Sequence, residues 1–442
     1  MLKVFSMFDG VGGFIIGLDN ANHDLGEMVY QTLYSNQFEP SRKAQDAFEV
    51  GLYQFPNMTH IGKDVATISN DEFAEMKKDG VNMIVAGFPC QDYSVARSKK
   101  DEKGIEGKKG VLFWEIIRVV KVIKPEYLIL ENVDRLLKAP SKQRGRDFAI
   151  MLGAFNQLGY SVEWRVINAA DYGEAQRRRR VFFFVYRNDS RFADKLVGKY
   201  ESTTLDLFNE HQFNNMSDYI FYDGLFAKQF PIEKEANKNR IYESILSEEN
   251  VNTPEYILDI SDHFKGQVWN TGIMRFGHYL TIDTTPIYEK SKTLGDIVKE
   301  ASLYQEVDDS YYLSEEKIEK FKYLRGPKKL DRKSADGHIY QYSEGGMSPY
   351  DSMDLPARTM LTSEGSVNRS THFLKDEKGY RILTPVEAEL LQDFPPNWTK
   401  FKLKNGKKEE VTDRMRMFFM GNALVTGIVR RIGVELWKNI KE

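Results

Sequence analysis

The chain has 442 residues, of which 41% are hydrophobic and 29% are charged. This length is enough for two domains with cores of their own, and the composition is typical of a globular protein rather than a disordered one. No apolar run reaches the roughly 18 residues of a membrane span, so we expect no membrane segment. The net charge of −3 does not indicate a nucleic-acid partner, and any basic binding surface must be local.

One cysteine, Cys90, occurs in the whole chain. It can form no intrachain disulfide and no multi-cysteine metal site, so we expect no bound metal. A single cysteine fits a reducing compartment. The N-terminus, MLKVFSMFDG, enters a predicted strand at once and does not resemble a signal peptide. We therefore expect a cytoplasmic protein.

A glycine-rich turn follows the first predicted strand, residues 2–6. The segment FDGVGG (8–13) then leads into a predicted helix. A strand, a glycine-rich turn and a helix form a cofactor-binding unit, because glycines allow a ligand to approach the backbone closely. The spacing differs from GxGxxG, which argues against a dinucleotide. The alternative is a tight turn with no ligand.

The second predicted strand, 29–34, ends near Gln37 and Glu39. An acid at this position commonly binds the hydroxyl groups of a ribose. If the strand continues, Gln37 and Glu39 share a face, and either could reach the ribose. A helix is predicted over 41–53, and a short third strand, 60–64, ends at Asp64.

Cys90 follows the fourth predicted strand, 83–86, within the segment GFPCQ (87–91). In open α/β sheets, catalytic groups collect at the ends of strands, and Pro89 stiffens the turn that carries the thiol. A lone cysteine is also commonly a small buried hydrophobe. From this segment alone, a nucleophile and a buried side chain are equally good interpretations.

A lysine- and glycine-rich loop follows, over 92–110, and an amphipathic helix over 111–123. The loop is either a solvated surface segment or a lid that contacts phosphates. The fifth strand, 127–130, ends in Glu131 and Asn132. A thiol and a carboxyl at neighbouring strand ends form a plausible catalytic pair, although Glu131 could instead cap the next turn.

Four consecutive arginines, 177–180, enter the apolar strand VFFFVY (181–186). Alternation along a strand would point Arg178 and Arg180 to one side and Arg177 and Arg179 to the other. One pair could then reach the site. The alternative is a solvated basic run.

Regular alternation of strands and helices stops near residue 188. Segments over 188–355 are short and aromatic and are interrupted by turn residues, which predicts an irregular or β-rich domain with a helix near 314–323. The earlier pattern returns near residue 376. Thr384 is a predicted N-cap with Pro385 at the first helical position, and MGNAL (420–424) is predicted to open the final helix.

Six segments together resemble the motifs of the DNA cytosine-5 methyltransferases of the restriction–modification type. They occur in the order usual for that family. The segments are FDGVGG (8–13), GFPCQ (87–91), ENV (131–133), QRRRR (176–180), PARTMLTSEG (356–365) and MGNAL (420–424).

The resemblance implies an α/β fold. A Rossmann-like methyltransferase domain with a mixed, mostly parallel sheet would comprise residues 1–187 and 356–442. A smaller target recognition domain, irregular or β-rich, would comprise 188–355.

The resemblance also implies S-adenosyl-L-methionine as methyl donor, S-adenosyl-L-homocysteine as product and double-stranded DNA as substrate. Cys90 would be the nucleophile, Glu131 the acid, and Arg178 and Arg180 would hold the cytosine and the loop. Gln91, Ser94, Asn132 and Gln176 would bind substrate. The implied cofactor-binding residues are Phe8, Gly10, Gly12, Gly13, Gln37, Phe38, Glu39, Asp64, Val65, Phe88, Pro89, Leu112, Asn422 and Leu424.

The chemistry of cytosine agrees with these roles. Carbon 5 is a poor nucleophile, and addition of the Cys90 thiolate to C6 would make it reactive. Nearby arginines favour the thiolate. Glu131 could bind N3 and the exocyclic amine as charge develops there. The base must leave the duplex first, because a stacked base cannot be reached.

Three positions depart from the family pattern. Gln37 replaces the acid that binds the ribose, Ser6 replaces an acid on the first strand, and Ala175 replaces a proline. None of them removes a group that makes or breaks bonds.

Two rival hypotheses remain: a tRNA cytosine-5 methyltransferase, or a catalytically silent DNA-binding homologue. We expect a monomer, and a cognate restriction endonuclease stays open as a partner. Base contacts are expected near 269–278 and 325–338, and the recognition sequence does not follow from this chain.

Overall fold

The computed structural model describes residues 1–88, 112–200, 217–234, 240–333 and 337–441. Cys90 lies outside the described residues, as do Pro89, Gln91, Ser94 and the predicted lid at 92–110.

Sixteen strands and twelve α-helices occur in the described part of the chain. The strands are β1 Leu2–Met7, β2 Tyr30–Asn36, β3 Thr59–Ile61, β4 Met83–Gly87, β5 Tyr127–Val133, β6 Tyr160–Asn168, β7 Arg179–Arg187, β8 Ile241–Ile245, β9 Thr271–Arg275, β10 His278–Ile282, β11 Lys328–Lys333, β12 Ile339–Glu344, β13 Leu374–Lys375, β14 Tyr380–Arg381, β15 Phe401–Lys404 and β16 Lys407–Glu410. The helices are α1 Gly13–Leu25, α2 Asp46–Gln54, α3 Asn70–Lys78, α4 Leu112–Ile123, α5 Arg146–Gln157, α6 Arg191–Tyr200, α7 Pro254–His263, α8 Leu294–Ala301, α9 Glu315–Arg325, α10 Pro385–Leu391, α11 Asp413–Asn422 and α12 Thr426–Lys441.

Ten strands form one sheet in the order β3-β2-β1-β4-β5-β7-β6-β9-β10-β8. The pairs from β3 to β5 are parallel, and every pair from β5 to β8 is antiparallel. Strands β1 to β6 and β10 therefore point one way, and β7, β8 and β9 point the other. The mixed, mostly parallel α/β sheet predicted from the sequence is confirmed.

The central strands are apolar over most of their length, as expected where helices cover both faces of a sheet. Along β4, Ile84 and Ala86 pack into the core on one face, while Met83 and Val85 pack into the core on the other. Strand β5 divides in the same way, with Leu128 and Leu130 opposite Tyr127 and Ile129.

The end of the chain returns to its beginning. Helix α12 packs along α1, where a Cβ atom built on Gly17 would lie 2.5 Å from the Cβ of Val429. This contact places the last two helices beside the glycine-rich turn that starts α1.

Strands β8, β9 and β10 continue the large sheet past β6, although they lie within 188–355. That segment also contains α7, α8 and α9 and the separate hairpin of β11 and β12. Its division from the rest of the chain as a target recognition domain stays a prediction.

The segment MGNAL does not open the final helix as predicted. Gly421 and Asn422 end α11, and α12 begins at Thr426. Helix α2 likewise starts at Asp46, five residues later than the pattern from Ser41 predicts.

No single helix in the described part of the chain is long and apolar enough to cross a membrane. Helices α11 and α12 pass that test only when taken together, with a bend of 41° between them. Much of α12 is buried inside the protein, and it packs on α1.

Candidate active site

The register of the sheet brings two of the predicted catalytic residues, Glu131 and Arg180, to one edge. Gly87, at the end of β4, is the pairing partner of Glu131 on β5. Val133 on β5 pairs with Arg180 on β7, which enters the sheet from the same edge because it runs antiparallel. We call this side, where the parallel strands end, the carboxyl edge.

Glu131 and Arg180 form an ion pair at the carboxyl edge. The Nε atom of Arg180 lies 2.9 Å from Oε1 of Glu131, and the side chains are 17% and 13% exposed. A Cβ atom on Gly87 would lie 3.5 Å from Oε2 of Glu131. The carboxyl group therefore sits directly beside the end of the strand that leads to Cys90.

Burial raises the pKa of Glu131, and the positive charges of Arg180 and Arg178 oppose that rise. Burial and the two arginines therefore act on the Glu131 carboxyl in opposite directions.

Arg178 is buried and bonds to the main chain of two distant segments. Its Nη1 donates to the carbonyl of Met360 at 3.2 Å, and its Nη2 donates to the carbonyl of Gly421 at 3.1 Å. Burial, with repulsion from Arg180, lowers the pKa of Arg178 to about 9, while Glu131 acts in the opposite direction. Arg178 thus links the carboxyl edge to the end of α11.

The alternation predicted for the arginine run is confirmed. Arg178 is buried and Arg180 is half-buried, whereas Arg177 and Arg179 are exposed. The Nε of Arg179 pairs with Oδ2 of Asp134 at 2.9 Å. Two arginines therefore face the site and two face solvent.

Gln176 is fully buried, and its side-chain amide bonds only to main-chain groups in the described part of the chain. Its Oε1 accepts from the N–H of Met360 at 3.0 Å, and its Nε2 donates to the carbonyl of Leu391 at 3.2 Å. Ala357 pairs with Gln176 in a parallel bridge. Residues 357–360, which we call the shelf, are therefore attached directly to the arginine run.

Asn132 is also buried, with 2% exposed, and its Nδ2 donates to the carbonyl of Phe88 at 2.9 Å. This bond ties the end of β5 to the residue that follows β4. The structure thus gives Asn132 and Gln176 contacts that position the backbone around the site.

The glycine-rich turn is held by Gln37. Its Oε1 accepts a hydrogen bond of 2.8 Å from the N–H of Gly10. Gly10 has φ +61°, and no neighbouring atom of the described residues lies within 4 Å of where its Cβ would stand. Gly12 has φ +91°, and a Cβ there would lie 2.5 Å from the Phe55 ring. The turn needs glycine and leaves an open space above Gly10, as a cofactor cradle requires.

The other expected cofactor residues in the described part of the chain surround the same edge. Asp64 caps a short 3₁₀ helix by accepting from the N–H of Ala66, and Val65 begins that helix. Glu39 accepts from the hydroxyl of Ser41 at 2.6 Å. Phe88 and Val65 are buried; Phe8, Phe38, Glu39, Asp64 and Leu112 are half-buried; Asn422 is exposed.

Leu424, near the C-terminal end of the chain, packs against the glycine-rich turn. It is 7% exposed, and its Cγ would lie 3.2 Å from a Cβ on Gly13. A Cβ at Gly13, the first residue of α1, would therefore crowd the side chain of Leu424.

Two further residues, which the sequence pattern did not single out, hold the glycine-rich turn. The indole N–H of Trp398 donates to the carbonyl of Val11 at 2.8 Å. Asp9 accepts a 2.5 Å bond from the Ser6 hydroxyl, and burial raises the pKa of Asp9 to about 7 against that bond. Asp9 could have been recognised from the sequence as an acid next to Phe8. No spacing along the sequence links Trp398 to Val11.

Among the described residues, no three His, Cys, Asp or Glu side chains are grouped so that they could hold a metal ion.

Residues 2–438 match the model of the family described as C-5 cytosine-specific DNA methylase. The chain belongs to this family. It is therefore an enzyme of the DNA (cytosine-5-)-methyltransferase class, as predicted from its motifs.

The curated relatives include the Type II methyltransferase M.Sau3AI of Staphylococcus aureus. It is 52% identical over 437 residues, which cover 99% of this chain and 96% of the relative. The Type II methyltransferase M.HhaI of Haemophilus parahaemolyticus is 29% identical over 188 residues, covering 42% of this chain and 50% of that protein.

Among solved structures, the S. pombe Dnmt2 methyltransferase aligns with a TM-score of 0.58 at 13% identity, covering 100% of both chains. DNMT2 of Spodoptera frugiperda aligns with a TM-score of 0.55 at 12% identity, again over the whole of both chains. At these identities the likeness shows that this methylase shares their fold, and nothing more.

Proposed function

We propose that this methylase transfers a methyl group from S-adenosyl-L-methionine to C5 of a cytosine within a specific sequence of double-stranded DNA. The observation that carries the proposal is the Glu131–Arg180 pair beside the end of β4. That pair places an acid and a cation next to the strand that leads to Cys90, the one cysteine in the chain.

The residues around the glycine-rich turn fit the expected cofactor. The open space above Gly10 gives room for a ligand against the backbone. Phe8, Gly12, Gly13, Asp64, Val65, Phe88, Leu112, Asn422 and Leu424 would line the pocket, with Gln37, Phe38 and Glu39 towards the ribose. When bound, the cofactor supplies an electrophilic methyl sulfonium and leaves as S-adenosyl-L-homocysteine.

Cys90 would act as the nucleophile. Its thiolate adds to C6 of the cytosine, and the electron pair of the C5–C6 bond becomes available at C5 for the new bond to the methyl carbon. A base then removes the C5 proton, the double bond reforms and the thiolate leaves. No side chain of the described residues is assigned to that base, which can be a water molecule.

Glu131 would bind N3 and the exocyclic amine of the cytosine. Protonation at N3 stabilises the ring when the thiolate adds, and the raised pKa of Glu131 favours such proton sharing. Arg180 would hold the Glu131 carboxyl in place, and its other N–H groups would donate hydrogen bonds to the cytosine. Arg178 would keep the shelf and the end of α11 in register with this pair.

The cytosine must be flipped out of the duplex before Cys90 can reach it. The energetic cost is a few kcal/mol, and the segment 92–110, with Gln91 and Ser94 near its start, is proposed to close over the flipped base. This step is proposed from the chemistry and from the sequence.

The names of the relatives, which are Type II methyltransferases, favour a restriction–modification enzyme that acts on DNA. We propose that it acts in the cytoplasm. A cognate restriction endonuclease and a monomeric state belong to the same proposal. The likeness to the Dnmt2 structures extends to the fold alone and says nothing about the substrate.

Base-resolution bisulfite sequencing of DNA from cells that express the chain tests the proposal, with Cys90→Ala as the matched control. Protected cytosines in one short motif, absent with Cys90→Ala, are expected. Wild-type protein that is folded and binds S-adenosyl-L-homocysteine but protects no cytosine would contradict a DNA substrate. Covalent trapping on a duplex with 5-fluorocytosine distinguishes a silent homologue, which would form no adduct.

A further inference from the structure

Residues 423–425 connect α11 to α12 and include Leu424. Helix α11 ends at Asn422, and α12 starts at Thr426. The residue after α11, Ala423, is extended, so α11 does not end in the left-handed glycine that ends many helices. The last carbonyls of a helix have no partner within the helix. The groups that bond to them therefore fix how the connection leaves α11.

Two side chains from distant parts of the chain bond to these carbonyls. Gln392, the residue directly after α10, donates through Nε2 to the carbonyl of Met420 at 2.6 Å. Arg178 donates through Nη2 to the next carbonyl, that of Gly421, at 3.1 Å. Both side chains are buried. The end of α11 is therefore held by the arginine run on one side and by the end of α10 on the other.

Gln392 also bonds to the start of α12. Its main-chain carbonyl accepts from the N–H of Thr426 at 3.0 Å. The carbonyl of the next residue, Asp393, accepts from the Thr426 hydroxyl at 2.5 Å. One residue thus bonds to both helices: its side chain to the end of α11 and its main chain to the start of α12. The two ends of the connection are fixed at the same point.

The end of α10 is itself firmly attached to its surroundings. Oε1 of Glu389 accepts from Nη2 of Arg416 in α11 at 2.9 Å, and both side chains are buried. The carbonyl of Leu391 accepts from Nε2 of Gln176 at 3.2 Å. Gln392 therefore bonds to the two helices from a segment that is held on either side.

Leu424 packs from this connection onto the glycine-rich turn. Its Cγ would lie 3.2 Å from a Cβ on Gly13. At the other end, a Cβ on Gly421 would lie 2.4 Å from the main chain of Leu361. Because protein interiors are closely packed, a shift of the connection must move Leu424 relative to the turn.

The amide of Gln392 is only partly satisfied. Its Oε1 atom is buried and accepts no hydrogen bond from the described residues. A buried acceptor without a partner lowers stability. A nonpolar side chain of similar length would remove this acceptor together with the donor, so the loss of the bond to Met420 can be separated from a large change in stability.

We propose that Gln392 is a positioning residue of the cofactor pocket. Its bonds fix the connection 423–425, and with it Leu424 beside the glycine-rich turn. Gln392 touches no cofactor in this scheme and acts through Leu424 and Asn422. The inference rests on the proposed function, because it adds a residue to the expected S-adenosyl-L-methionine pocket.

Gln392→Met tests the role of the amide. Isothermal titration calorimetry should show binding of S-adenosyl-L-homocysteine about 2–10-fold weaker than in the wild type, the worth of one neutral hydrogen bond. On a duplex with the methylated motif, KM for S-adenosyl-L-methionine should rise by the same factor, while kcat and the affinity for DNA stay at wild-type values. A general loss of structure would lower kcat as well.

Gln157→Met is the matched control. Gln157 is the last residue of α5, and its Nε2 donates to the carbonyls of Val251 and Thr253, each at 2.9 Å. Because α5 leads into the start of β6, this glutamine lies at the edge opposite Glu131. The same substitution there should leave S-adenosyl-L-homocysteine binding unchanged.

Thr426→Val is the second test of the connection. It keeps the shape of the side chain and removes the hydroxyl that bonds to Asp393. Binding of S-adenosyl-L-homocysteine should again weaken, and this variant decides if Gln392→Met does not fold.

Three outcomes would overturn the inference. In the first, folded Gln392→Met and Thr426→Val bind S-adenosyl-L-homocysteine as tightly as the wild type. In the second, Gln157→Met weakens binding as much as they do, which would point to general loosening. In the third, Gln392→Met lowers kcat and leaves KM unchanged. Failure of the proposed function differs from all three, since the wild type itself would then methylate no DNA.

Discussion

Arg180 and Glu131 meet across two antiparallel strands, with Nε 2.9 Å from Oε1. The pairing of β7 with β5 places their side chains at the same edge. Because both side chains are mostly buried, the pair is held with little freedom, and either partner left alone would be a buried, uncompensated charge.

Glu131→Gln should lower the single-turnover rate of methyl transfer by about 10²–10⁴-fold, the usual contribution of a positioned acid. An amide keeps the shape of the side chain but cannot share a proton with N3. Rapid-quench measurement with radiolabelled cofactor gives the rate. Arg180→Lys, which keeps the charge, should lose less than Arg180→Ala, and a Glu131→Gln enzyme at full rate would refute the assignment.

Gln37→Ala should weaken the binding of S-adenosyl-L-homocysteine by about 2–10-fold, the worth of one neutral hydrogen bond. The cause is loss of the 2.8 Å acceptor that orders Gly10. Gln37→Glu retains an acceptor and should bind as tightly as the wild type. The Glu39 carboxylate accepts from Ser41, so Glu39→Ala should weaken binding less than Gln37→Ala does. Isothermal titration calorimetry measures the affinity of each variant. If Gln37→Ala and Glu39→Ala both bind as tightly as the wild type, neither residue contributes to cofactor binding.

Gly17→Ala should destabilise the protein by about 1–3 kcal/mol, because overpacking forces apart two closely packed helices. The new Cβ would lie 2.5 Å from Val429 and 2.9 Å from the carbonyl of Thr426. Thermal melting measures the change.

Gly51→Ala, in the interior of α2, is the control for that substitution. Among the residues that the structure describes, its Cβ would meet nothing closer than the His60 ring at 3.6 Å. Alanine favours a helix over glycine by about 0.8–1.0 kcal/mol, so the melting temperature should stay or rise. Equal destabilisation by both changes would argue against the close contact of α1 and α12.

Two carboxyl groups converge over the start of α12 and should make stability depend on pH. A Cβ on Gly427 would lie 2.1 Å from Oε1 of Glu174 and 3.0 Å from Oδ2 of Asp393. Burial first, and then the neighbouring Asp393, raise the pKa of Glu174 to about 7. The positive charges of nearby residues act against that rise: Lys292, Arg430 and Arg431.

A carboxyl whose pKa is raised by folding stabilises the protein fully below its unfolded value and loses that contribution as the pH rises through its folded value. For Glu174 the window therefore extends from about pH 4.5 to about pH 7. Glu174→Gln should gain stability over the wild type by about 1–3 kcal/mol across this window. Urea denaturation at a series of pH values measures it, and parallel pH curves for the two proteins would refute the coupling.

Local patterns in the sequence identified much of the fold and of the site. Thr384 and Pro385 start α10, and Thr384 accepts from the N–H of Glu387 in a capping box. The alternation of the arginine run correctly separated Arg178 from Arg179. These features depend on neighbours a few residues apart, where spacing along the chain determines which side chains share a face.

Other features depend on partners that no spacing reveals. The sequence alone did not show that β8, β9 and β10 would extend the large sheet. Nor did it show that the amide of Gln176, which is predicted to bind substrate, bonds to the main chain of Met360 in the shelf and of Leu391.

The sequence by itself therefore determined the class of protein, the order of its elements and the residues whose chemistry suits methyl transfer. Only the tertiary structure decided which distant residues are in contact. Arg178 bonds to the carbonyls of residues 360 and 421, and Trp398 bonds to the carbonyl of Val11. Arg369 bonds to the carbonyl of Leu324, just before the β11–β12 hairpin. The physical reason is that local periodicity is set by backbone geometry, whereas contacts across hundreds of residues arise when burial of the whole core closes the chain on itself.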